Sequence, residues 1–345
     1  MKELLYCDFL WSGINFHPNR FSCCCTPYKG IFVEGNNIKD YLYDFFLSFE
    51  KKRTEAIEKM KKSIPIKDCI GCVHLKKYDM DSDETPDYII NNYNKNLINH
   101  IQINHFKHCD CGCIYCNQPL YKKTIYSKQS EYYDLLPLIK KLYDKKMVNI
   151  NHLEVEFQGG SISVLDEFPN IVDFILENGV KSIQYFTNGL VYLPEIEKAI
   201  KRTNCLIICS IDSSTPETFL KIKRVNKFYD VINNVKKYQS IIDIYNSESH
   251  NSTITLKFIL VDGVNDNLKE LEGFIKIAEN LKVFSCHLDL DYRMIMKDTQ
   301  SIRYDIPKHY KDLYDFFMTK TREVGIIPWM PEYTKQILDK GYFDV

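Results

Sequence analysis

Apolar and polar positions alternate in two ways along this chain. From residue 97 onward, short apolar runs are separated by longer segments in which apolar residues return every three or four positions. A period of two marks a strand and a period of 3.6 marks one face of a helix. Residues 97–104 therefore read as a strand, 132–147 as a helix and 153–157 as a strand. Residues 166–178 read as a helix with Gly179 as its C-terminal cap, and 182–186 as a strand. Residues 194–201 form a helix opening on Pro194, followed by an almost wholly apolar strand at 205–211. Helices follow at 215–221 and 228–242, a strand at 253–261, a helix at 267–281 and the last strand at 283–290. Six strands with helices between them predict a parallel sheet with right-handed connections. Six units suit an open or partial barrel better than a closed eightfold one.

The first eighty residues have a different texture. Residues 40–62 read as one amphipathic helix, with Tyr41, Leu42, Phe45, Phe46 and Phe49 as its apolar stripe and Pro65 beyond its end. Residues 80–87, Met-Asp-Ser-Asp-Glu-Thr-Pro-Asp, are acidic and polar and read as a linker. The expected organisation is a cysteine-rich module at 1–80, a linker at 81–95, an α/β partial barrel at 96–295 and a helical extension at 296–345.

Composition narrows the function classes. The chain has 345 residues, 45% hydrophobic and 26% charged, as expected of a globular protein. A net charge of −1 removes the simplest argument for nucleic-acid binding, which needs a basic surface. No apolar run approaches a membrane span, and Glu3 and Asp8 interrupt the stretch a signal peptide would use. The expectation is a cytoplasmic protein with neither membrane nor nucleic acid as partner, in a compartment where thiols stay reduced. Thirteen cysteines, an odd number with several adjacent, do not resemble a secreted disulfide scaffold.

The chemistry concentrates in Cys109-Asp-Cys-Gly-Cys113-Ile-Tyr-Cys116. Cys109, Cys113 and Cys116 are spaced C-x3-C-x2-C in one loop after the first barrel strand. Three thiolates hold three irons of a four-iron cluster and leave one iron open, whereas an electron-transfer cluster takes four cysteines. A structural zinc site is the alternative, with Cys111 as a fourth thiol. Other polar groups fall at carboxyl ends of strands, where such sheets bind ligands. They are Gln158-Gly159-Gly160-Ser161, Thr187-Asn188-Gly189, and Ser210 with Asp212. Cys205, Cys209 and Cys286, in apolar strands, read as buried and inert. His100, His105 and His108 either tune the metal loop by hydrogen bonding or simply pack. Asp289, Asp291 and Arg293 at the last strand end are either substrate contacts or a buried salt bridge. The lysine-rich face of 221–245 reads as an ordinary solvated helix.

With these residues in place, the chain resembles the radical S-adenosylmethionine (SAM) superfamily over residues 96–290. The C-x3-C-x2-C loop carries the family's aromatic residue before the last cysteine, here Tyr115. The resemblance implies a partial (βα)6 barrel, a 4Fe-4S cluster on Cys109, Cys113 and Cys116, and SAM on its open iron. It also implies reductive cleavage of SAM to a 5′-deoxyadenosyl radical that removes hydrogen from a substrate. Gly159 and Gly160 match the glycine pair that meets the methionyl amino group, and Asn188 lies at the third strand end. Ser210 and Asp212 match positions near the ribose and carboxylate, and 258–265 the region flanking adenine. Where the family usually has a glutamate after the glycine pair, this chain has Ser161, with Glu156 as a candidate substitute. A small electron donor such as flavodoxin or ferredoxin is implied.

Cys7, the Cys23-Cys24-Cys25 run after a Pro18-Asn19 turn, and Cys69-Ile-Gly-Cys72 resemble the auxiliary-cluster module called SPASM, placed here before the barrel. The resemblance implies a second 4Fe-4S cluster on Cys7, Cys24, Cys69 and Cys72, with Cys23 nearly equivalent to Cys24. A four-cysteine zinc knuckle is the alternative. Such modules accompany modification of a peptide or protein in many relatives, and of a sugar or other small molecule in some. A non-catalytic iron–sulfur or zinc protein on a degenerate barrel is the rival function.

Overall fold

A computed structural model describes residues 3–17, 20–24, 31–35, 41–70, 72, 74–82, 84–86, 89–90, 95–104, 109–116, 133–246, 250–291, 304–340 and 342–343. The Pro18-Asn19 turn, Cys25, His105, His108 and Arg293 lie outside the described residues. The chain divides into two compact units.

The first unit comprises Met1–Lys107, Lys123–Gly160 and Leu165–Ile183. It holds β1 (Glu3–Tyr6), α1 (Asp8–Ser12), β2 (Gly13–His17), β3 (Arg20–Ser22), β4 (Phe32–Glu34) and α2 (Leu42–Met60). It continues with β5 (Lys76–Asp79), β6 (His100–Asn104), α3 (Leu136–Asp144), β7 (Glu154–Gln158) and α4 (Phe168–Glu177). Strand order is β4-β3-β2-β6-β7, with β1 and β5 paired separately and antiparallel. β2 is antiparallel to β3 but parallel to β6, with Gly13 opposite His100 and Phe16 opposite Ile103. The cysteine-rich stretch thus contributes strands directly beside the first barrel strand.

Helix α2 buries Phe46, Phe49, Arg53, Ala56, Ile57 and Met60. That stripe is rotated from the expected one, because Tyr41 precedes the helix and is 68% exposed. Arg53 belongs to the buried face because its guanidinium has partners there. It meets Glu50 at 2.8 and 2.7 Å and donates to the carbonyls of Leu10, Trp11 and Asn96 at 3.3, 2.6 and 2.9 Å. It thereby satisfies carbonyls that a short helix leaves open.

The second unit comprises His108–Lys122, Ser161–Val164 and Gln184–Val345. Its elements begin at β8 (Ser182–Thr187), which opens in the first unit, then α5 (Pro194–Arg202), β9 (Asn204–Ser210), α6 (Pro216–Lys223) and α7 (Phe228–Tyr245). They continue with β10 (Thr253–Leu260), α8 (Leu268–Asn280), β11 (Ser285–Leu290), β12 (Tyr304–Asp305), α9 (His309–Glu323), β13 (Ile327–Trp329), α10 (Glu332–Lys340) and β14 (Tyr342–Phe343). Strand order is β8-β9-β10-β11-β13, with β9, β10, β11 and β13 parallel. The open, mostly parallel α/β arrangement matches the expected class. The last strand is not 283–290, however: β13 adds a three-residue parallel strand at the edge. Pro328 is tolerated there because an edge strand leaves one side unpaired.

Helices α6 and α8 start on side-chain caps. Thr215 Oγ1 accepts from the Thr218 amide at 3.2 Å, and Asn267 Oδ1 from the Glu270 amide at 3.1 Å. The Glu270 carboxylate then accepts from Ser214 N at 2.8 Å and Thr218 Oγ1 at 2.6 Å, tying the loop after β9 to α8. Among the described residues, no helix is long and apolar enough to cross a membrane.

Candidate metal centre and its surroundings

The cysteine loop, residues 109–116, lies against the end of α6. Gly112 N donates to Lys223 O at 3.0 Å and Ile114 N to Ile222 O at 2.9 Å. A helix leaves its last carbonyls without intrahelical partners, so the loop acts as their cap. Helix α6 ends on Arg224 at φ +60°, a left-handed residue that turns the chain away. Tyr115, Ile222, Ile259 and Val261 form an apolar floor, with Cys113, Ile114 and Val264 packed on it.

Beneath the loop is a buried polar clasp. Tyr115 Oη donates to Asp212 Oδ2 at 2.6 Å, and Lys223 Nζ donates to Tyr115 Oη at 2.9 Å and also to Asp212 Oδ2. Asp212 Oδ1 accepts from Ile259 N at 2.8 Å, and Asn265 Nδ2 donates to Asp212 O at 2.8 Å. Asp212 is fully buried, with both carboxylate oxygens engaged inside the protein. Lys223 is 1% exposed, so the solvated face expected over 221–245 does not include it. Burial alone would lower the Lys223 pKa. Asp212 and Cys113 outweigh that and hold it above the ordinary lysine value.

The sulfurs polarise one another. The Cys111 thiol bonds to Cys109 and Cys113 and lowers both, and Cys113 falls to about 6 with Lys223 adding to the effect. Cys111 itself is raised by the same two bonds. Thiolates are the metal-binding form of cysteine, so this donor set suits a thiophilic metal or cluster. Among the described residues, Cys109, Asp110 and Cys111 offer donor atoms within 4.8 Å of one another. Cys113 and Cys116 lie outside that group; both are half-buried, and the Cys116 amide donates to Cys113 O at 3.1 Å.

Asp110, which sequence reasoning passed over, is the centre of a second network. Its Oδ1 accepts from Asn188 Nδ2 at 2.5 Å, and its Oδ2 from Ser163 Oγ at 3.0 Å. Ser163 and Ser161 hydroxyls are 2.6 Å apart, and Asn188 Nδ2 lies 3.5 Å from Ser161 Oγ. Ser163 and Lys223 were also missed. A carboxylate between two cysteines was the available signal for Asp110; an aspartate ending an apolar strand, needing a cation, was that for Lys223.

The glycine pair has the geometry that requires glycine: Gly159 and Gly160 both have φ +80°. Ser210 is half-buried at the end of β9, in register with Lys257. Glu156 in the first unit accepts from Gln102 Nε2 at 2.9 Å and lies 3.5 Å from His100. Asp289 is fully buried against Lys257 Nζ at 3.0 Å and Thr334 Oγ1 at 3.0 Å, the salt-bridge alternative of the two considered; Asp291 is buried. Cys205, Cys209 and Cys286 are buried, and burial raises all three thiols, Cys209 and Cys286 to about 12.

In the first unit Cys7, Cys24, Cys69 and Cys72 come within electrostatic reach of one another. Burial, and after it Cys7, Cys24 and Cys72, raise Cys69 to about 11. Cys7 is raised by burial, against the opposing pull of the Leu10 and Phe9 amides at the start of α1. Cys72 N donates to Cys69 O at 3.1 Å, closing the C-x2-C turn. Cys23 differs: it is 2% exposed, with its thiol 3.6 Å from Ile31 O.

The sequence profile described as the radical SAM superfamily matches residues 103–275, half of the chain. GTP 3′,8-cyclase of Desulforamulus reducens is 26% identical over 208 residues, 59% of this chain and 58% of the cyclase. The chain thus spans little more than half of that relative. A probable dual-specificity RNA methyltransferase RlmN of Streptococcus pyogenes is 23% identical over 293 residues, 77% of each chain. In fold, the chain is similar to Streptococcus suis SuiB bound to precursor peptide SuiA. The TM-score is 0.51 at 10% identity, covering 98% of this chain and 73% of SuiB. The chain belongs to the radical SAM superfamily, whose members are enzymes that work with a 4Fe-4S cluster and SAM.

Proposed function

We propose that this chain cleaves SAM reductively and uses the resulting 5′-deoxyadenosyl radical to remove hydrogen from a peptide or protein substrate. The observation that carries the reading is the C-x3-C-x2-C loop itself, inside the matched region and held against the end of α6 over the Tyr115–Asp212–Lys223 clasp. Cys109, Cys113 and Cys116 would hold the cluster, which when bound supplies the electron and an open iron for SAM. Tyr115 and Asp212 act from beneath, since their polar groups are engaged with each other and with Lys223. In the second unit, Ser161, Asn188 and Ser210 are the groups that meet SAM. Asp110, bonded to Asn188 and Ser163, supplies the negative charge toward its ammonium that Ser161 lacks.

Cys7, Cys24, Cys69 and Cys72 form a complete four-cysteine donor set for a second cluster with an electron-transfer role. A flavodoxin or ferredoxin supplies the reducing electron. SuiB, similar in fold, was solved with a precursor peptide, which supports the peptide reading. The cyclase relative, named for GTP, makes a small molecule the second reading. The RlmN relatives are named as RNA methyltransferases; a net charge of −1 favours peptide over RNA here.

The test is anaerobic reconstitution, then SAM and a strong reductant, with 5′-deoxyadenosine as the readout. About eight irons per chain and steady 5′-deoxyadenosine formation are expected. Clusters intact with no 5′-deoxyadenosine would overturn the reading in favour of a non-catalytic metal protein.

A further inference from the structure

We propose that the buried Lys223–Asp212 pair is an electrostatic tuning device for the metal loop, with Lys223 favouring and Asp212 disfavouring the added electron. This rests on the reading of Cys109, Cys113 and Cys116 as cluster ligands. Lys223 and Asp212 are 1% and 0% exposed, and they meet directly beneath the loop. Lys223 touches the loop twice, through its carbonyl to Gly112 N at 3.0 Å and its ammonium to Tyr115 Oη at 2.9 Å.

Holding the loop does not require these charges. Two backbone hydrogen bonds and the apolar floor of Tyr115, Ile222, Ile259 and Val261 already fix it. A buried ion pair carries a desolvation penalty, and apolar residues of similar volume commonly replace such pairs without loss of stability. What apolar residues cannot supply is a field. Lys223 reaches the loop through its ammonium, which donates to the hydroxyl of Tyr115, the residue between Cys113 and Cys116. Each member of the pair acts on an added electron with the sign of its own charge, and removing either one leaves the other uncompensated. Away from water such a field is screened less than it is at the surface.

The step concerned is a one-electron reduction: the cluster gains one electron from an external low-potential donor, dithionite in the assay. No bond breaks, and neither Lys223 nor Asp212 changes protonation. Lys223 and Asp212 are positioning residues, because both are buried with their charged atoms engaged inside the protein.

The experiment is a potentiometric titration of the reconstituted full chain, followed by electron paramagnetic resonance. The signal altered by added SAM identifies the loop cluster. Lys223→Met is expected to weaken reduction about tenfold, a midpoint about 59 mV more negative. Asp212→Asn is expected to move it in the opposite direction, and Lys223→Arg to restore the original value. Midpoints shifting the same way in Lys223→Met and Asp212→Asn, or remaining in place, would overturn the proposal, since mere loosening of the loop has no reason to reverse sign. If Lys223→Met retains no iron, Asp212→Asn decides alone: a positive shift supports the proposal, and no shift or a negative one overturns it. Absence of any SAM-responsive signal in the unsubstituted protein is a separate outcome, which removes the cluster reading beneath it.

Discussion

Replacing Asp110 with asparagine removes one charge and almost no volume. In the structure its two oxygens accept from Asn188 Nδ2 at 2.5 Å and Ser163 Oγ at 3.0 Å, so an amide keeps one acceptor and sets a donor against a donor. If Asp110 is the anion that meets the SAM ammonium, the variant exchanges a charge-assisted hydrogen bond of about 1.5–3 kcal/mol for a neutral one of about 0.5–1.5 kcal/mol. The difference, about 1–1.5 kcal/mol, weakens SAM binding about fivefold to tenfold. The assay is equilibrium binding of SAM to anaerobically reconstituted protein with matched iron content. Glu156→Gln is the internal comparison. Glu156 is held by Gln102 at 2.9 Å, and its neutralisation is expected to leave SAM affinity in place. Unchanged affinity in Asp110→Asn, or a loss carried by Glu156→Gln instead, would show that Asp110 does not meet the ammonium.

Three further outcomes are expected. Cys24→Ala should halve iron content, from about eight to about four per chain, while Cys23→Ala keeps the iron; iron analysis showing the reverse would exchange their roles. Gly189→Ala should destabilise the fold by about 2–4 kcal/mol, through left-handed strain and overpacking. Gly189 has φ +70°, and an added Cβ would sit 2.8 Å from Cys209 Sγ and 3.0 Å from Val231 Cγ1; denaturant unfolding within error of the parent would contradict this. Burial, aided by Arg20, lowers His17 to about 4 from its ordinary 6.5, and burial with Lys257 lowers His287 to about 2. Both are neutral when folded, so their contribution is complete above the unfolded pKa and is lost as pH falls through the folded one. For His17 this is about 3 kcal/mol, lost between roughly pH 6.5 and 4. Unfolding midpoints that stay flat from pH 6.5 to 4.5 would contradict it.

Much of the fold was legible because each element carries its own periodicity. Residues 253–261 read as a strand and fold as Thr253–Leu260; residues 267–281 read as a helix and fold as Leu268–Asn280. The pairing of β2 with β6 was not legible. It joins segments over eighty residues apart, and all five residues of β2 are buried, which erases the alternation that marks a strand. Ile-Pro-Trp at 327–329 was too short, and its proline argued against a strand. At the candidate site, cysteine spacing is a local signal and was readable. Lys223 was not, because a lysine at a helix end is ordinarily solvated and favourable to the dipole there. Only the fold places it under the loop opposite Asp212, eleven residues earlier.

The most direct test of the account is Mössbauer spectroscopy of the iron-loaded protein with and without SAM. A four-iron cluster is expected in which one iron of the four changes its parameters when SAM is added, with loss of that cluster in Cys113→Ala. A loop that binds one zinc ion, or a cluster whose four irons ignore SAM, would contradict it.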